Sequence, residues 1–260
     1  MNIYVFVKRV PDTESKIRVD HGSNTIITEG LNHILSPFDE YAVEEALRIK
    51  ESQGGKVTVL SVGPDEAAII LKKCLAMGAD EAVLVKDDQP ETFDGFRTAK
   101  IIAGAMSSKF SDYDLLLFGK QSFGTDNGQV QTMVAEMLGL PQVNTVTKLE
   151  IDGTQGLAYR EIEGATEKVP FSLPAVISAQ KGLNNPRYET LKGIMMAKRK
   201  QIPVLTMEEI GLGDAALLSK TKVIKLEYPP PREAGTVIKD EPAVAAKKMV
   251  EYLRQVAKVL

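Results

Sequence analysis

Four short, almost unbroken apolar runs, NIYVFV (2–7), VTVLSV (57–62), AVLVK (82–86) and DLLLFG (114–119), constrain this chain more than any other feature. A strand with one face in water alternates apolar and polar residues; a strand covered on both faces reads as continuously apolar. Between and after these runs lie amphipathic stretches, Asp39–Gln53, Asp65–Met77, Gly95–Lys109 and Asn127–Leu138. Such alternation predicts an α/β fold, a doubly wound and mostly parallel sheet with right-handed crossovers.

The punctuation agrees. Ser36-Pro37-Phe38-Asp39 offers an N-cap serine, a proline at the first helical position and an acid at the third. In the helix that follows, Ala42, Val43, Ala46 and Leu47 form the inward stripe, and Glu44 and Arg48 are placed to pair at i,i+4 on the solvent face. Gly78 stands just past the next helix, where a left-handed residue is wanted.

Near residue 145 the pattern changes. TVTKLEI, LAYREIEG and EKVPFSLP alternate and are separated by Asp152-Gly153 and Gly164, the pattern of antiparallel hairpins. PAVISA (174–179) reads as a strand returning to the main sheet. The expected division is a domain over 1–205, with a distinctive loop at 180–200, and a C-terminal arm over 206–260. That arm carries the proline run 229–231 and a last amphipathic helix, Pro242 to Val259.

Composition narrows the function classes. A single cysteine, Cys74, forbids an intrachain disulfide and points to a reducing, cytoplasmic setting; among helical apolar positions it reads as a buried structural thiol. The N-terminal run reads as a first strand and not a signal peptide, and no apolar run has the length of a membrane span. His21 and His33 lack metal-ligand spacing, and no nucleophile–base pair stands out, so neither a metal site nor a hydrolase is expected. With no Trp and few aromatics, a base-stacking nucleic-acid platform is not expected either.

Ligands of open α/β sheets sit beyond the carboxyl ends of the strands. Lys8–Asp12, Val62-Gly63-Pro64 and GKQSFGTDNGQVQ (119–131) converge there. The last could cradle a phosphate on main-chain N–H groups at a helix start, or be a plain capped loop, since it matches neither Walker A nor G-x-G-x-x-G. LNNPRYETLKGIMMAKRKQIP (183–203) has two readings as well. One is a solvated loop and basic helix end. The other is a docking element with Leu183 as apolar anchor beside adaptable methionines, steered by Arg187, Lys192, Lys198, Arg199 and Lys200.

That segment closely resembles the L-N-x-P-R-Y…I-M-x-A-K-K-K stretch of the electron transfer flavoprotein (ETF) β subunit. The likeness continues through VKRVPDTESKIRV, PFDEYAVEEALRIKE, SVGPDEA, CLAMGAD, LLLFGKQ and REIEG…LPAV, in order along almost the whole chain. The resemblance implies an electron carrier with no catalysis of its own, a heterodimer with an α subunit that holds most of a shared FAD and is embraced by the arm. It implies a structural AMP in this chain, against Phe6, Ser36, Pro37, Phe38, Asp39 and Val62. The loop from Gly119 and Gln121 through Asp126, Asn127, Gly128, Gln129, Val130, Gln131 and Thr132 completes that site. Thr13 and Phe38 match positions near the flavin. Electrons would come from an acyl-CoA dehydrogenase-type flavoprotein, as in fatty acid oxidation, and pass to an ETF:quinone oxidoreductase-type acceptor. The docking positions would be Leu183, Pro186, Arg187, Tyr188, Ile194, Met195, Lys198, Arg199 and Lys200. Gly124 and Thr125 replace acids common in the family. The alternative is the electron-bifurcating type, with a second FAD in place of AMP and reaction with NADH. Those members tend to read D-x-D-x-A-Q-V-G-P where this chain has Gln129-Val130-Gln131-Thr132, which favours AMP.

Overall fold

The computed structural model describes residues 1–88, 94–213, 219–232 and 234–260. The remaining residues of the expected arm, 214–218 and 233, lie outside that description. Met1–Leu226 forms one compact unit and Glu227–Leu260 another.

The first unit is built on nine strands: β1 (Asn2–Phe6), β6 (Lys56–Gly63), β7 (Glu81–Lys86), β8 (Leu115–Gly119), β9 (Gln142–Asp152), β10 (Gln155–Ile162), β11 (Ala165–Ser172), β12 (Ala175–Ala179) and β13 (Val204–Leu205). Two two-stranded ribbons, β2 (Arg9–Pro11) with β5 (His33–Leu35) and β3 (Arg18–Asp20) with β4 (Thr25–Ile27), fill the connection after β1. The sheet order is β11-β10-β9-β12-β8-β1-β6-β7-β13, parallel except for the β9-β10-β11 meander. The four apolar runs are four neighbouring central strands, and the three alternating segments are the meander.

Among the described residues of this unit, α1 (Pro37–Gln53), α2 (Ala68–Met77) after a 3-10 turn at Asp65–Ala67, α3 (Gly95–Ser108) and α4 (Val130–Leu138) flank the sheet, and α5 (Leu191–Arg199) packs on α2. Successive β1 side chains go to opposite faces, so Ile3, Val5 and Val7 join α1 and α2 in one core while Tyr4 and Phe6 join α3 and α4 in the other. Cys74 is fully buried in the first of these cores, and burial pushes its thiol pKa upward. The chain leaves β1 toward β6 and β7, then crosses back to β8 on the other side. The order reverses at β1, and that switch point is where an α/β sheet opens a crevice for a ligand.

Two expectations need correcting. Glu44 does not pair with Arg48 on a wet face; it is buried and bound by Arg187, while Arg48 lies 3.9 Å from Glu45. Ser36 precedes α1 with proline in the first turn, yet its hydroxyl makes no capping bond.

In the second unit the helix α6 (Pro242–Gln255) ends before the expected Val259 and buries none of its residues. Val244, Met249, Val250 and Tyr252 stand exposed along it. Among the described residues, no helix is long and apolar enough to cross a membrane.

Candidate functional site

Three carboxyl-end segments meet at the switch point. Phe6 closes β1 and stacks on Phe118 of β8 with ring centroids 4.3 Å apart. Ser36 N–H donates to the Lys8 carbonyl at 3.0 Å, which sets the start of α1 against the exit from β1. Asp39 is buried, and its carboxylate accepts the Lys8 N–H at 2.8 Å and the Gly119 N–H. A Cβ on Gly119 would stand 2.3 Å from Asp39 Oδ1 and 2.7 Å from the Phe38 carbonyl carbon, so only glycine fits where α1 meets the end of β8. Burial raises the Asp39 pKa to about 7, against the opposing pull of its two main-chain donors and Lys8.

The 120–130 loop is held from within. Gln121 Nε2 donates to Asp126 Oδ1 at 2.8 Å, Ser122 and Thr125 hydroxyls lie 2.6 Å apart, and Asp126 and Gly128 adopt positive φ. Buried Gln131 donates to the carbonyls of Lys120 at 2.9 Å and Gly128 at 3.0 Å. Gln131 therefore braces the loop instead of facing a ligand, and Asp39 likewise forms a wall.

Asn127, Gln129 and Thr132 are left exposed at the start of α4, where Gln129 makes no side-chain cap. The first-turn N–H groups of a helix have no intrahelical partner, and the helix dipole favours an anion there. Pro37, Phe38 and Val62 are half-buried, and Val130 packs on the core. Thr13 is exposed in the turn Asp12–Ser15.

Two buried hydroxyls, Ser36 Oγ and Ser61 Oγ, lack a hydrogen-bond partner among the described residues. A buried unpaired hydroxyl costs free energy, so one beside a crevice suits a bound polar group. An anion at the first turn of α4 and a further polar group beside Ser36 fit these residues.

Two lysines of the converging segments, and an asparagine that sequence reasoning missed, also line this region. Lys8 Nζ reaches Ser122 Oγ at 3.5 Å, and Lys120 Nζ stands 4.8 Å over the Phe38 ring. Asn144 Nδ2 donates to Thr132 Oγ1 at 3.1 Å from a kink in β9, where Thr145 takes φ +59°. Positively charged residues just past strand ends were a usable signal for the lysines; nothing local marks Asn144.

The 183–203 segment corrects the expected anchor. Leu183 is 9% exposed and belongs to the core, because the chain folds back onto α1 at this point. Asn184 Nδ2 donates to the Tyr41 carbonyl and to Glu45 Oε2, both at 2.9 Å. Arg187 is committed to Glu44 and Glu51, which raises its pKa, so it is no free steering charge. Pro186 and Ile194 are half-buried, and Lys200 donates to the Asp80 carbonyl at 2.6 Å.

The apolar side chains that face solvent are Tyr188 (94% exposed), Leu191 (84%), Met195 (63%) and Met196 (54%). Lys192, Lys198 and Arg199 are exposed beside them. Thr190 caps this helix by accepting the Gly193 N–H at 3.0 Å. Leu191 was the missed residue, although its i,i+4 spacing from Met195 was readable.

Comparison with known proteins matches residues 23–210 to the electron transfer flavoprotein domain. Along its whole length the chain is 41% identical to the electron transfer flavoprotein subunit beta of Bacillus subtilis, all of which is covered. It is 40% identical to that of Syntrophomonas wolfei, over 100% of this chain and 98% of the relative. With that of Thermoanaerobacterium thermosaccharolyticum the identity is 39%, over 97% and 98%.

Proposed function

The chain belongs to the electron transfer flavoprotein family, on the β-subunit side, and we propose that it forms half of a heterodimeric electron carrier that docks acyl-CoA dehydrogenase-type flavoproteins. The observation that carries this reading is the solvent-facing helix α5. Leu191, Met195 and Met196 on this short helix, with Tyr188 just before it, gather large apolar surface, and Lys192, Lys198 and Arg199 surround it.

Exposed apolar surface of this kind loses free energy in water unless a partner covers it. Flexible methionines adapt to partners of varied shape, and the cations speed encounter with an acidic surface. Fast, weak, steered contact is what a carrier shuttling between a donor and an acceptor requires. A quinone oxidoreductase-type flavoprotein would be the acceptor, and the α subunit the permanent partner.

In this reading the switch-point crevice holds AMP. Asp39 and Gly119 set its wall, Gln131 braces the loop, and the first turn of α4 binds the phosphate. AMP would stabilise the fold by mass action, since only the folded chain presents this site. FAD, shared with the α subunit, supplies the redox chemistry when bound; Phe38 and Thr13 of this chain would border it.

The test is reduction of the purified heterodimer by an acyl-CoA dehydrogenase. Leu191→Ala is expected to slow it with flavin content unchanged. Equal rates for the variant and the parent would end the docking assignment.

A further inference from the structure

We propose that Lys72, far along the chain from α5, is a positioning residue that holds the docking helix in its working place. This rests on the reading of α5 as the docking element.

Helix α5 has nine residues and buries one of them, Ala197, with Ile194 half-buried beside it. A helix so short is marginal on its own, and this one has little apolar burial to fix it. Its attachment to α2 is mostly polar and main-chain. A Cβ on Gly193 would stand 2.1 Å from the Ala76 carbonyl oxygen, so the α5 backbone rests directly on the end of α2.

Lys72 completes the attachment from the other side. Its ammonium donates to the Ala197 carbonyl at 2.8 Å and to the Lys200 carbonyl. From its own chain the Ala197 carbonyl takes the Lys200 N–H at 3.3 Å, and a cation added there meets the negative end of the helix dipole. Lys200 returns the contact, its Nζ donating to the carbonyls of Asp80 at 2.6 Å and Ala79 at 3.4 Å. That turn is itself rigid, because the Asp80 carboxylate holds Lys50 Nζ at 2.6 Å and Val57 N–H at 2.9 Å.

Lys72 and Lys200 thus form a reciprocal clasp, Lys72 reaching from the middle of α2 to the C-terminal end of α5 and Lys200 reaching back to the turn after α2. Lys72 is half-buried, and the exposed face of α5 is left to Leu191, Met195 and Met196. A docking surface held in its bound shape loses less conformational entropy when a partner arrives. The clasp acts on partner affinity by fixing α5, without itself facing the partner.

The experiment uses the full chain in its heterodimer, with an acyl-CoA dehydrogenase as donor, and compares Lys72→Met, Lys72→Arg and Leu191→Ala. Lys72→Met is expected to raise the KM for the heterodimer by about tenfold. Its limiting rate and FAD content should hold, and amide exchange over 191–200 should quicken. Arginine, which also donates to two carbonyls, should restore most of the KM. A KM for Lys72→Met within about twofold of the parent, with Leu191→Ala impaired, overturns the positioning role alone. So does a loss of FAD or of the heterodimer that arginine fails to rescue, which would mark a general folding defect. If Leu191→Ala also leaves KM unchanged, the docking reading falls first and the clasp's role with it.

Discussion

Arg187 meets Glu44 through two parallel hydrogen bonds, Nε to Oε2 at 2.8 Å and Nη2 to Oε1 at 3.0 Å, across 143 residues of sequence. The Arg187 N–H adds a third to Glu44 Oε2 at 3.1 Å. The planar fork matches the carboxylate as a lysine could not. This pair fixes the chain that enters the docking helix to α1. Arg187→Lys should cost about 1 kcal/mol and Glu44→Ala about 2 kcal/mol, because the latter removes both Glu44 acceptors from a half-buried guanidinium that keeps only Glu51. Urea unfolding of the two variants checks the order.

The two leucines of the segment should behave oppositely. Leu183→Ala removes core volume and should cost about 2–4 kcal/mol. Leu191→Ala, at the surface, should change stability by less than about 0.5 kcal/mol while slowing electron acceptance. Parallel denaturation and reduction assays separate them.

Gly119→Ala should open the crevice. The new methyl would overlap Asp39 Oδ1 and the Phe38 main chain, and main chain cannot swing aside as a long side chain can. A loss of about 2 kcal/mol or more is expected, with weaker nucleotide retention. Thermal melts with and without added AMP read both effects.

Asp39 gives the molecule a pH signature. Its folded pKa, about 7, lies above its ordinary value because the ionised form is buried. Between about pH 4 and 7 the folded chain holds more protons at this site than the unfolded chain, so this contribution to stability falls as pH rises. Above 7 it levels off. Asp39→Asn cannot ionise, so its stability relative to the parent should increase from pH 5 to pH 8. Melting temperatures at intervals across that range test the sign; a difference that stays constant would contradict it.

The central strands and their helices were legible because two-sided burial writes itself into local sequence as continuous apolar runs. The meander was legible for the complementary reason, alternation broken by Asp-Gly and Gly. What stayed hidden depends on contacts between distant segments. Glu44 looked solvent-facing in its own helix because its partner lies at 187. Leu183 looked like an exposed turn residue because nothing local shows the chain folding back on α1 through Asn184. Strand β13 is two residues long and exists only through its pairing with β7. At the crevice, the position of the glycine-rich loop after β8 was readable, but the internal role of Gln131 follows from two carbonyls that no spacing rule places.

The most direct measurement is the nucleotide content of the purified heterodimer. The complex would be co-expressed, denatured, and its released nucleotides separated by chromatography. The account predicts one FAD and one AMP per heterodimer. Two FAD with no AMP would contradict it, and would make NADH oxidation the activity to assay.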